Sequence, residues 1–335
     1  MEEDSMVESL FNGDRAVQIQ AATDLSKLTT CKERNLFAER GVIPPLVSML
    51  YSQDYEAIQA ALFALLGLAF GSERNKIKIT KFGAIPALVE LLQCKKSRSP
   101  TELAIAALLM LSACRANKLT IAASGAIQFL VEILNRDKQR YSGGLQAKLD
   151  AIDTLHNLST CHQVLPAIVS AGVVFYLLQL ICRSDKSSKV AEKATALLEK
   201  IASLSETGRV EIAEADGGIL ALVETVEEGS QQSREHSVGV LLHICESCED
   251  EYRGLILREG VMPGLLQLSV HGTRRAKDMA RALLLLLRDF TNCDSSRQLE
   301  NSVLKRIMEE IDAEKGNVNG TAMRLVEEMI AKLNT

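Results

Sequence analysis

The chain has 335 residues, 47% of them hydrophobic but only 4% aromatic, with no Trp, so Ala and Leu must carry the core. That composition suits helices packed closely on helices better than a sheet sandwich, and six prolines with 24% charged residues argue against long disordered stretches. A net charge of −5 counts against a dedicated nucleic-acid binder, which carries a basic stripe and a basic overall balance.

The chain opens on "MEEDSMVESLF", which is acidic and so reads as neither a signal nor a transit peptide. The apolar run Leu283 to Leu287 lies between Arg281 and Arg288 and is too short to span a bilayer. The expectation is a soluble protein of the cytoplasm, extending to the nucleus, without integral membrane association. Eight cysteines (Cys31, Cys94, Cys114, Cys161, Cys182, Cys245, Cys248, Cys293) are scattered through apolar helical patterns and are expected as free, buried thiols.

Residues 1–30 carry a turn at Asn12-Gly13 and a helical pattern through "AVQIQAATDLSKL". One phrase then recurs: "GVIPPLVSML" from Gly41, "GAIPALVELL" from Gly83, "GAIQFLVEIL" from Gly125, "GVVFYLLQLI" from Gly172, "GGILALVETV" from Gly217 and "GVMPGLLQLS" from Gly260. The glycines are 42, 42, 47, 45 and 43 residues apart, a period that marks a solenoid of two or three helices per repeat.

Each unit reads the same way. A short first helix such as "NKIKITKF" ends at the glycine, where the chain turns sharply through positive φ. Pro44, Pro86 or Pro263 sits just inside the second helix, where a missing N–H does no harm. A polar loop follows, then an Ala- and Leu-rich third helix such as "TELAIAALLMLSAC", expected to form the buried spine and the inner face. The spacing predicts an all-α chain with a partial N-terminal unit over 1–30 and six repeats over 31–72, 73–114, 115–161, 162–205, 206–248 and 249–291. Residues 292–335 lack the glycine and carry two amphipathic segments, Leu299 to Ile311 and Ala322 to Leu333, expected as capping helices over the last repeat.

The phrase "NKxxIxxxGAIPxLVxLL" resembles the armadillo (ARM) repeat. Three stretches are similar to the ARM array of plant U-box proteins: "GSERNKIKITKFGAIPALVELL", "CRANKLTIAASGAIQFLVEIL" and "HGTRRAKDMARALLLLLRDF". The resemblance covers Glu8 to Phe290. It implies a right-handed superhelical solenoid whose third helices line a concave, protein-binding groove. Members with a U-box are ubiquitin ligases. Only a partial repeat precedes Cys31 and no stretch beginning "CPI" is present, so the resemblance carries over a binding array and no ligase activity. The start at Met1 argues against a fragment of a longer ligase.

Peptide-binding armadillo proteins such as importin-α place an Asn on successive third helices. The equivalent positions here are Lys27, Gly67, Ala113, Asn157, Lys200, His243 and Leu286. Only Asn157 keeps the residue, and the groove tryptophans of that class are missing, so a nuclear transport receptor for basic peptides is disfavoured. Lys27, Asn157, Lys200 and His243 become candidate groove residues for an acidic or phosphorylated partner segment, with the alternative that they are merely solvated.

The loops between second and third helices supply a second candidate, a basic edge of Lys95, Lys96 and Arg98, then Arg136, Lys138 and Arg140, then Arg183, Lys186 and Lys189. A basic edge steers an acidic protein or an anionic membrane surface by its long-range field, although loops are Lys-rich by default. The third unit is lengthened by the Tyr141-Ser142-Gly143-Gly144 region, an insertion of the kind that carries contacts. Arg274, Lys277 and Arg281, neighbours at helical spacing, form a third, C-terminal basic cluster.

"HICESC" gives His243, Cys245 and Cys248 but no second ligand pair, so no metal site is expected. No G-x-S-x-G, phosphate loop or G-x-G-x-x-G occurs. The reading is a non-catalytic scaffold or adaptor in plant signalling or ubiquitin-linked regulation, needing no cofactor and binding proteins such as kinases. The alternative is the substrate-recognition part of a ubiquitin-ligase pathway.

Overall fold

A computed structural model of the protein describes residues 2–94, 100–135, 144–247 and 250–293. Among these every regular element is a helix. They fall into two compact units, Met1–Gly172 and Val173–Thr335, divided between the first and second helices of the expected fourth repeat. The expected capping helices within 292–335 lie outside the described residues, apart from the end of the helix Arg274–Cys293.

Unit 1 starts with the helices Glu2–Asn12 and Arg15–Ser26, the partial repeat read from the sequence. Asp14 caps the second of these, its Oδ1 accepting from the Val17 N–H at 2.9 Å, and Arg40 holds the first through Asp4 at 2.7 Å. Triplets follow. Cys31–Glu39, Ile43–Leu50 and Tyr55–Ala69 are succeeded by Glu73–Lys81, Ala84–Gln93 and Thr101–Ser112. The third begins with a 3-10 turn, Arg115–Asn117, leading into Lys118–Ala123, then Ala126–Asn135 and Gly144–Ser159, before the short helix Leu165–Ser170. Third helices stack in order: Arg15–Ser26 on Tyr55–Ala69, that helix on Thr101–Ser112, and that one on Gly144–Ser159.

Unit 2 continues with Val173–Arg183 and Lys189–Leu204, then Glu206–Glu214, Gly218–Glu228 and Gln231–Glu246, then Asp250–Arg258, Met262–His271 and Arg274–Cys293. Its third helices stack likewise, Lys189–Leu204 on Gln231–Glu246 on Arg274–Cys293.

The recurrent glycine does what the pattern predicts. Gly83 has φ +86° and joins Glu73–Lys81 to Ala84–Gln93; its counterparts Gly41, Gly125, Gly172, Gly217 and Gly260 all lie between φ +68° and +84°. A side chain there would strain the backbone by about 1–2 kcal/mol. The following helix buries Ile85, Leu88 and Leu92 at 1% exposure or less, each contributing about 1.5–3 kcal/mol. Pro44 and Pro263 stand in the first turn of their helices, as expected.

The described cysteines are free, but burial is not general. Cys114 and Cys245 are core residues, whereas Cys31 and Cys182 are exposed. Cys31 opens its helix on the outward side, its Sγ 4.0 Å from the Gly71 carbonyl oxygen, and Cys182 follows the buried Ile181 on the outward side of its helix.

Candidate partner-binding surface

Five third helices are tied at their C-terminal ends to the first helix that follows. Third helices end with unpaired carbonyls, and side chains from the following first helix take them up. Asn75 Nδ2 donates to the Leu68 carbonyl at 2.9 Å and to that of Arg34 at 3.5 Å. Asn117 does the same for Leu111 and Lys76, both at 3.2 Å. Arg34 donates to Leu28 and Thr29, Arg209 to Ala202, and Arg253 to Cys245. Asn75 is 0% and Asn117 2% exposed, so the Asn of the "NK" phrase is a buried clamp joining a third helix to two successive first helices.

Within unit 1, Lys27 is exposed beyond the end of Arg15–Ser26 and pairs with Asp24 at 2.8 Å. The Lys27 ammonium, with Gln20, lowers the Asp24 pKa. Asn157 is half-buried, and its Nδ2 donates to Ser112 Oγ of the preceding third helix at 3.0 Å. Its carbonyl accepts from Lys118 Nζ at 2.7 Å. Lys118 is almost buried, and burial lowers its pKa. Asn157 is therefore already engaged between repeats. In unit 2, Lys200 and His243 are half-buried, and His243 Nδ1 lies 3.1 Å from Glu246 Oε2 one turn on.

Of the basic edge, Lys95, Lys96, Arg98, Arg136, Lys138 and Arg140 lie outside the described residues, as does the insertion apart from Gly144. Its remaining loop departs from expectation. Lys186 points inward at 9% exposure, donating to the Ile181 carbonyl at 3.0 Å and pairing with Glu224 at 3.1 Å. It ties the loop to two successive second helices, so its charge is not presented to a partner. Arg183 and Lys189 remain exposed, Lys189 with Glu192 at 2.6 Å. On the last third helix Arg274 and Arg281 are exposed and Lys277 half-buried.

The sequence reading missed an ion network across the three third helices of unit 2. Glu199, at 7% exposure, accepts from Arg275 on Oε1 and lies 2.7 Å from His236 Nδ1 on Oε2. Arg275 also donates to Glu235 Oε1 at 2.9 Å, and Thr273 Oγ1 donates to Glu235 Oε2. Burial raises the Glu235 pKa, but hydrogen bonds from Thr273 and Arg275 outweigh it, and the net shift is downward. Gly239 makes the room: a Cβ there would collide with the Glu199 carboxylate. The available signal was that glycine, alone inside a helical pattern, which marks a close approach.

Among the described residues no cluster of His, Cys, Asp or Glu could hold a metal ion, and Cys248 lies outside them. Burial pushes the Cys245 thiol up to about 12, away from the thiolate a metal requires. No single helix among the described residues is long and apolar enough to cross a membrane.

Stacked helix triplets with a glycine-marked turn, clamped carbonyls and polar groups on the third helices define an all-α solenoid of armadillo repeats, a class of protein-interaction scaffold. A designed armadillo repeat protein in complex with the peptide (KR)4 shares the fold, at TM-score 0.63 and 22% identity over 73% of this chain and 99% of that one. Residues 122–309 match the family described as the plant U-box protein ARM repeat region, and the chain belongs to that family. It is 34% identical to U-box domain-containing protein 4 of Oryza sativa subsp. japonica over 288 residues, 83% of this chain and 37% of that protein. Against U-box domain-containing protein 45 of Arabidopsis thaliana it is 33% identical over 159 residues, 47% of this chain and 20% of the relative. The chain thus spans between a fifth and two fifths of the length of these relatives.

Proposed function

We propose that the chain is a non-catalytic adaptor that holds partner proteins along its third helices, in plant signalling or ubiquitin-linked regulation. Its membership of the plant U-box ARM repeat family carries this reading. The designed relative in complex with a peptide supports a peptide-like ligand for the fold. On this reading Lys27 in unit 1 and Lys200 and His243 in unit 2 are the groove contacts, Asn157 contributes only the part of its amide that Ser112 leaves open, and the loops bearing Lys95, Lys96, Arg136 and Arg140 add electrostatic steering. The partner is an acidic or phosphorylated segment, as of a kinase, met in the cytoplasm or nucleus.

The test is capture of partners from plant-cell extract by mass spectrometry with three forms of the chain. These are the wild type, a Lys200→Glu/His243→Glu groove variant, and a Lys95→Glu/Lys96→Glu/Arg136→Glu/Arg140→Glu loop variant. The reading expects specific proteins lost from one variant whose Tm is unchanged. Identical captured sets from all three would sink it. Similarity to U-box proteins favours a second reading, substrate recognition within a ubiquitin-ligase pathway. That reading requires conjugating or ligase components in the captured set.

A further inference from the structure

Phe175 and Leu220 depart from the rest of the array. Each stands third after a left-handed glycine, Gly172 or Gly217, a place held by Pro44, Pro86, Gln128 and Pro263 in the other repeats. Proline suits a first helical turn and glutamine suits water, whereas a phenylalanine or a leucine there serves neither end. Neither is covered by the fold: Phe175 is 57% exposed and Leu220 42%. Within unit 2 they lie on successive second helices, Val173–Arg183 and Gly218–Glu228, which pack on each other. Phe175 meets Tyr176 edge-on with ring centroids 5.3 Å apart, so the row presents an aromatic pair to solvent.

The charge beside this row is negative. Residues 206–228 hold seven acidic residues against Arg209 alone, net −6, which leaves the remainder of the chain at +1. Arg209 is turned to the Ala202 carbonyl, and Lys186 takes up Glu224. Glu214, Asp216, Glu227 and Glu228 are all exposed. Leu220, Glu224 and Glu227 fall at i, i+4 and i+7, a stripe that starts apolar and ends acidic. Its acidic end is the helix C-terminus, where the macrodipole disfavours negative charge. Partial burial, then the Glu228 and Glu224 carboxylates, raise the Glu227 pKa. A cationic ligand relieves this crowding, while nucleic acid and anionic membranes are repelled by it.

We propose that this outward face of unit 2 docks a basic, amphipathic segment of a partner protein. Its apolar side chains sit on Phe175 and Leu220, and its Lys or Arg residues face Glu214, Asp216, Glu227 and Glu228. The face belongs to second helices, so the proposal does not rest on what the third helices hold.

The test is fluorescence anisotropy of the full chain with a labelled helical peptide of Lys and Leu, its Leu at i, i+3, i+4 and i+7. A Lys/Gln peptide of equal charge and a Glu/Leu peptide of equal apolar content serve as comparators. The Lys/Leu peptide should bind about tenfold or more tighter than either. Phe175→Gln and Leu220→Gln install the residue that this register already accepts at Gln128. Each should weaken binding about tenfold with Tm unchanged. Glu214→Gln/Glu227→Gln/Glu228→Gln should weaken it about threefold or more and flatten its salt dependence. Leu119→Gln, at an exposed leucine of unit 1, should leave it unchanged. Four results would overturn the proposal. These are no binding of the Lys/Leu peptide, equal binding of a comparator, and an affinity indifferent to Phe175→Gln and Leu220→Gln. The fourth is self-association of the free chain that Phe175→Gln abolishes, which would assign the face to a second copy.

Discussion

At the residue scale, small side chains decide where large charges can sit. Glu199 reaches Arg275 only because Gly239 leaves the helix surface open beneath it. This predicts a change of sign. In the wild type, Gly239→Ala destabilises, because the added Cβ displaces a buried carboxylate from its partners. In a Glu199→Ala background the same substitution stabilises by about 0.5–1 kcal/mol, the ordinary gain of Ala over Gly within a helix. A double-mutant cycle by denaturant unfolding measures both. Glu235 supplies a pH prediction. Its folded pKa lies below the ordinary 4.5, so its contribution is present above pH 4.5 and is lost as pH falls through the folded value. The Tm difference between wild type and Glu235→Gln should be full above pH 4.5 and shrink below it.

At the scale of the element, the turns were legible and the clamps were not. A glycine followed by an apolar amphipathic run predicts a helix end, a left-handed residue and a new helix, and Gly83 at φ +86° provides them. Gly83→Ala should cost about 1–2 kcal/mol, read from the urea midpoint. The "NK" phrase pointed to a repeat, but not to the carbonyls its Asn serves, because those belong to helices brought near only by stacking. Asn75→Ala and Asn117→Ala each leave the Leu68 or Leu111 carbonyl without that donor. Each should destabilise by about 1–3 kcal/mol, with a steeper loss of hydrogen-exchange protection at the end of the preceding third helix than elsewhere. Lys186 illustrates the limit in the other direction. As a lysine in a polar loop it read as surface charge, and only the proximity of Glu224 on the next second helix turns it inward.

At the scale of the whole molecule, the family and the all-α repeat fold were legible because the period repeats six times in one register. The candidate surface was legible only in part. Lys200 and His243 sit half-exposed on third helices, but Asn157, the residue most like a ligand-binding Asn, spends its side-chain amide on Ser112. Nor could sequence reveal that Arg275, next to the predicted cluster, is drawn between two carboxylates from the two preceding third helices. Holding of partners on the third helices, as proposed above, is tested by a hydrogen-exchange footprint of the full chain with and without a captured partner. The expected result is added protection in Gly144–Ser159, Lys189–Leu204 and Gln231–Glu246, with the second helices unchanged. Protection confined to second helices such as Val173–Arg183 and Gly218–Glu228 would contradict it.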